Sequence, residues 1–161
     1  MNDAVPRSVF TDFVESARVV CGAIERLRLD NTRPLLSALI RLLYCADSLA
    51  RCSMRLSDEN LSEEVALPKA LDFVPDDLVF HVVFDPLDQE SMCASSLRDS
   101  LGDIYHALKG GLNVLERGGK SEDVVLSQWK MEYEVHWGRH LLDVITFLFL
   151  CPGDAGTVAP E

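Results

Sequence analysis

SLRDSLGDIYHALKGGLNVLERGGKSEDVVLSQWKMEYEVHWGRH, residues Ser96–His140, decides the fold. Leu97, Leu101, Ile104, Leu108, Leu112 and Leu115 recur at spacings of three and four, which places them on one stripe of an α-helix. Gly118 and Gly119 end that helix, because glycine takes left-handed backbone conformations at little cost. Ser121 then stands where an N-cap is needed, with Glu122 and Asp123 complementing the dipole of a following helix. The stretch therefore predicts a helical hairpin whose second arm runs to about Cys151, before Pro152 and Gly153.

Working outward, Phe10, Phe13, Ala17, Val20, Ile24 and Leu27 form a similar stripe within an amphipathic helix over Ser8–Leu29. DNTRP breaks it, with Asn31 or Thr32 placed to cap and Pro34 suited to a first helical turn, where its missing N–H is harmless. A leucine-dense helix from about Pro34 to Arg51 follows, expected deep in the bundle. Residues from about 53 to 90 are acidic and irregular, with prolines at 68 and 75. Within them VFHVVFDP has the composition of a short strand but no evident pairing partner. It is expected to be an extended segment that packs Phe80 and Phe84 onto helices and stops at Asp85 and Pro86. The pattern as a whole predicts an all-α, single-domain bundle of four main helices spanning 8–151, with an N-terminal tail (1–7) and a disordered C-terminal tail (152–161).

Composition limits the function. The 161 residues are 48% apolar, enough for one sizeable core. Fifteen Lys and Arg against 26 Asp and Glu give a net charge of -11, which repels nucleic acid and anionic membranes and favours encounter with a basic protein. The five cysteines, Cys21, Cys45, Cys52, Cys93 and Cys151, form no CxxC pair, so neither a disulfide framework nor a zinc cluster is indicated. MNDAVPRSVF lacks the features of a signal peptide, and VITFLFLC is too short to span a bilayer, so a cytoplasmic location is expected.

The last helix carries the chemistry. Val124, Met131, Val135, Leu142 and Phe149 share one direction, and Trp129, Tyr133, His136 and His140 a second, about a third of the way round. A helix apolar on two sides is expected to be central, with its histidines at least partly buried. If the chain reverses at Gly119, Asp103 lies 16 residues before the turn and His136 17 after it; Asp99 and His140 lie 20 and 21 away. Equal rise in both arms sets two Asp–His pairs level. Three readings stand: structural hydrogen bonding, plain surface, or a divalent transition metal held by Asp99, Asp103, His136 and His140.

Other motifs fail. HWGRH has Trp137 where a zincin needs glutamate, and no Glu-x-x-His pair supplies a di-iron centre. GGKS has Val114 where a phosphate loop requires glycine.

The strings FVESARVVCGAIE, LLYCADSL, VFDP, SLRDSLGDIYHALKGGL and QWKMEYEVHWGRH, spread over most of residues 9–145, resemble a bacterial family of uncharacterised proteins, domain-of-unknown-function family 5063. The resemblance picks out Cys21, Glu25, Phe84, Asp85 and Pro86 in the first half. In the second half it picks out Asp99, Asp103, Tyr105 and Trp129, then His136, Trp137, Gly138 and His140. Where the family pattern looks like a doubled aspartate, this chain has Asp99 followed by Ser100, which removes one possible carboxylate. The resemblance implies an all-helical bacterial domain and supplies no activity.

Two functions of different classes follow. One is a non-enzymatic helical module that binds another protein or a second copy of itself. The other is a metal-dependent small-molecule enzyme, hydrolase-like, with Glu132 or Tyr133 for proton transfer beside the Asp and His ligands.

Overall fold

A computed structural model describes residues 5–54, 57, 63–83, 92–118 and 120–151. Helices α1 (Arg7–Glu25), α2 (Arg33–Ala50) and α3 (Leu97–Arg117) are followed by α4 (Glu122–Glu132), which passes through one π turn (Tyr133–Trp137) into α5 (Gly138–Leu150). The protein is an all-α single domain. α1 packs on α2 and α3, and α5 closes the bundle by packing on the same two helices. The leucine stripe of α3 is buried at Leu97, Leu101, Ile104, Leu108 and Leu112, as is that of α1 at Phe13, Ala17, Val20 and Ile24.

The helix ends follow the sequence chemistry. Gly118 takes φ 67°, the left-handed conformation that closes α3, and its N–H bonds to the Val114 and Leu115 carbonyls. Ser96 caps α3 by accepting from the Asp99 N–H. Thr32 and Ser121 occupy the N-cap positions of α2 and α4 without a side-chain capping bond.

Three expectations are corrected. The strand-like segment does pair: β1 (Val79–Val83) runs antiparallel to β2 (Met92–Ser96), with Val79 opposite Ser96. MCASS was hard to recognise as a strand because small polar residues carry little β preference. Phe80 nonetheless reaches the helices, stacking on Phe147 with ring centroids 5.2 Å apart. The last helix is not covered on both its apolar sides: Trp129, Trp137, Leu141, Val144 and Leu148 are buried, whereas Met131, Val135, Leu142 and Phe149 face water. Nor is it one uniform α-helix. A run of i+4 steps drifts round an α-helix by about 40° per step. The π turn takes up that drift, so the face of Trp129 and Tyr133 continues as Trp137 and Leu141. Phe84, Asp85, Pro86, Gly119, the first residues of the N-terminal tail (1–4) and the tail 152–161 lie outside the described residues.

The acidic central segment has a packing role where it is described. Leu67 lies 3.6 Å from the position a Cβ would take on Gly102, and Glu63 and Val65 lie 3.7 and 3.8 Å from the equivalent position on Gly110. The segment thus crosses α3 on its glycine side. Arg117 fixes it by an ion pair to Glu63 at 2.7 Å.

Trp129 joins the arms of the hairpin. It is fully buried, packs against Phe13 at 5.0 Å, and donates its indole N–H to the Ala107 carbonyl at 2.9 Å. Gly111 makes room for it: a Cβ there would stand 2.4 Å from the indole carbons Cε2 and Cζ2. Alanine improves helix propensity by about 1 kcal/mol. Overpacking of a rigid core costs about 1–3 kcal/mol, and the displaced indole N–H adds to that. Gly111→Ala is therefore expected to destabilise the protein by about 1–3 kcal/mol net, read from the midpoint of urea unfolding. An unchanged or raised midpoint would show that the notch is not needed.

Candidate functional site

The π turn assembles the histidine pair. Gly138 donates its N–H to the Tyr133 carbonyl five residues back, the bond that defines the wider turn. A Cβ on Gly138 would lie 2.3 Å from that carbonyl oxygen and 2.8 Å from the Tyr133 ring, so glycine is what lets the turn close. The consequence reaches both imidazoles, whose rings stand nearly perpendicular with centroids 5.1 Å apart.

Opposite them, α3 presents Asp103. Its Oδ2 is 3.4 Å from His140 Nε2 and 3.9 Å from His136 Nε2. One ligand atom from each of Asp103, His136 and His140 falls within 4.8 Å of the others. The group is at the surface: side-chain exposure is 44% for Asp103, 55% for His136 and 26% for His140.

Asp99 is not in this group. It stands exposed in the first turn of α3, its N–H bonded to Ser96 Oγ. Level pairing of Asp99 with His140 assumed an equal rise in both arms, and the π turn advances less per residue, drawing His140 back toward Asp103. Ser100 takes the place beside His140. It is fully buried, with Oγ 3.3 Å from His140 Nδ1 and 3.0 Å from Ser95 Oγ. Sequence reasoning treated Ser100 only as a missing carboxylate; its position one helical turn before Ile104 and Tyr105, on the covered side, was the available signal. Asp143 also lies near the group, its carboxyl pushed up by burial against the opposing pull of Arg139 and His140.

The remaining marked residues fall into separate sets. Glu132 accepts from Gln128 Nε2 and, with Glu63 and His106, lines a small crevice beside Trp129. Tyr133 packs on Trp137 at 5.0 Å, and its hydroxyl is pushed up by burial and then by the Asp47 charge. Both contribute to packing around the π turn.

On the α1 side, Tyr105 donates its hydroxyl to Glu25 Oε1 at 2.8 Å, and Lys109 Nζ reaches the same oxygen at 3.2 Å. Cys21 lies within the field of this set, and burial pushes its thiol up to about 12. Such a thiol is protonated at neutral pH and is not a nucleophile. This set ties α1 to α3.

A wide cleft of about 680 Å³ lies elsewhere, between the first half of α1 and the α3–α4 turn. Arg7, Arg18 and Lys120 line it together with Glu15, Glu116 and Glu122, and it touches none of the residues above. Its mixed charge makes it a weaker candidate than its size implies.

The family model described as Domain of unknown function (DUF5063) matches residues 5–150, and the chain belongs to that family. No curated protein and no solved structure matches it. Among the described residues, no helix is long and apolar enough to cross a membrane.

Two outcomes are expected. Gly138→Ala should lower stability by about 1–3 kcal/mol in urea unfolding, because the obstructing atom is backbone and cannot swing away; wild-type stability would show that the π turn tolerates a side chain. For Glu25, burial raises the carboxyl, but bonds from Tyr105 and Lys109 outweigh it and hold the group below its ordinary 4.5. A carboxyl depressed on folding contributes stability that is present above its unfolded value and is lost as pH falls through its folded value. The stability difference between wild type and Tyr105→Phe should therefore shrink as thermal melts are taken from pH 7 into the acid range. A gap that stays constant would remove Glu25 as the linked group.

Proposed function

We propose that the domain is a non-enzymatic helical interaction module of the bacterial cytoplasm, whose contact surface is the uncovered apolar flank of the last helix. The observation that carries this reading is the exposure of Val135 (75%), Leu142 (50%), Phe149 (67%) and Leu150 (70%) beside a continuous buried core among the described residues. Leu142 and Phe149 are seven residues apart and share one line along α5. Single exposed apolar residues are ordinary, but a row of them on one element marks a surface that another protein covers. Burying apolar area contributes about 25 cal/mol per Å², so covering these side chains is worth several kcal/mol. The net charge of -11 selects a basic partner by speeding encounter and repelling acidic ones.

A metal-dependent small-molecule enzyme is the second reading, favoured by the convergence of Asp103, His136 and His140. It needs a proton-transfer group, and the two residues the sequence offers for that role, Glu132 and Tyr133, are engaged in contacts of their own.

Chemical cross-linking in cells of the source bacterium, followed by mass spectrometry, tests the interaction reading. Wild type is expected to yield a specific cross-linked species with a basic protein. Leu142→Glu combined with Phe149→Glu should abolish it while leaving the circular dichroism spectrum intact, since neither side chain is in the core. Persistence of the same species in the double variant would sink the assignment of this flank.

A further inference from the structure

We propose that Asp103, His136 and His140 form a three-ligand site for a divalent transition ion, and that Ser100 is its positioning residue. The inference concerns ion binding alone and stands whether or not the domain catalyses a reaction. Distances carry the argument. A hydrogen bond between imidazole nitrogen and carboxylate oxygen spans about 2.7–3.2 Å. The observed separations from Asp103 Oδ2, 3.4 Å to His140 Nε2 and 3.9 Å to His136 Nε2, are longer than that. Two ligand atoms bound tetrahedrally at about 2.0–2.1 Å from one ion stand about 3.4 Å apart. The His140–Asp103 separation matches that spacing, the His136–Asp103 separation exceeds it by about 0.5 Å, and all three ligand atoms lie within 4.8 Å of one another, so a small side-chain movement brings them round a common centre.

Tautomer chemistry points the same way. His140 Nδ1 faces the Ser100 hydroxyl, which in turn faces Ser95 Oγ. The relay is satisfied in either direction, and the direction compatible with a bound ion has Nδ1–H donating to Ser100 Oγ and Ser100 donating to Ser95. That arrangement leaves the Nε2 lone pair directed at Asp103. In that tautomer a metal cation, in place of a proton, would bridge Nε2 and the carboxylate oxygen 3.4 Å away. A ligating imidazole whose second nitrogen is held by a hydrogen bond is the usual second-sphere arrangement of metal sites, fixing ring orientation and tautomer. Serine at position 100 fits this role because it is buried and uncharged, where a second aspartate would need its own counter-ion.

Two imidazoles and one carboxylate suit zinc, iron(II), manganese(II) or cobalt(II), and three protein ligands leave coordination positions open to water or another molecule. Backbone geometry supports the same centre. The π turn held open by Gly138 sets His136 and His140 on one side of the helix, and the α3 register sets Asp103 across from them.

The test uses the full-length chain purified without a histidine tag, stripped with chelator and titrated with cobalt(II) and zinc(II). Calorimetry should give one ion per chain, and cobalt should develop visible d–d bands that zinc abolishes. His136→Ala with His140→Ala should weaken binding at least about 100-fold, and Ser100→Ala about 10- to 100-fold as for other second-sphere removals. Since His136 is exposed and Asp103 half-exposed, His136→Ala and Asp103→Asn keep the test valid even if the double variant misfolds. Absence of saturable uptake by wild type, or binding by His136→Ala and Asp103→Asn as tight as wild type, would overturn the site. Unchanged binding in Ser100→Ala would overturn the positioning role.

Discussion

The seating of Trp129 against Gly111 is the contact on which the remaining geometry depends. An indole is among the largest groups a core can hold, and it approaches the α3 backbone here only because position 111 has no side chain. Its N–H bond to the Ala107 carbonyl then sets the axial position of the last helix relative to α3. Packing on Phe13 brings α1 into the same contact. Three helices are thereby registered by one side chain, and whatever lies further along both arms of the hairpin, Asp103 and the histidines included, inherits that register.

A second glycine converts register into a site. Without a π turn, the face of Trp129 and Tyr133 would drift away from the core. The bond from Gly138 N–H to the Tyr133 carbonyl widens one turn, returns Trp137 and Leu141 to the interior, and draws both imidazoles toward Asp103. The irregularity serves core packing and the polar group at once. Gly138 is thus needed for two reasons that sequence alone does not separate.

The residues that mark the family divide along the same line. Cys21, Glu25 and Tyr105 explain themselves as a tie between α1 and α3: a buried thiol in a low-dielectric setting, and a carboxylate held by a hydroxyl and an ammonium. Trp129, Trp137 and Gly138 explain themselves as packing. Asp103, His136 and His140 do not. They are partly exposed, lie outside the core, and bring one carboxylate oxygen to 3.4 Å and 3.9 Å from two imidazole nitrogens.

What the sequence by itself determined was helix placement, because a period of 3–4 in apolar residues and the capping preferences of glycine, serine and proline are local properties. The stripe of Leu97 to Leu115 and the stop at Gly118 needed nothing from the rest of the chain. The juxtaposition of Asp103 with His136 was also legible, from counting rise on either side of one turn. Tertiary structure alone decided three things. Pairing of β1 with MCASS depends on a partner strand whose residues have little intrinsic preference for it. Which face of the last helix is buried depends on where α1, α2 and α3 lie, since the more apolar row, from Met131 to Phe149, is the one left exposed. The choice of Ser100 over Asp99 as neighbour of His140 depends on the shortened rise of a π turn, a backbone feature that no residue pattern announces in advance.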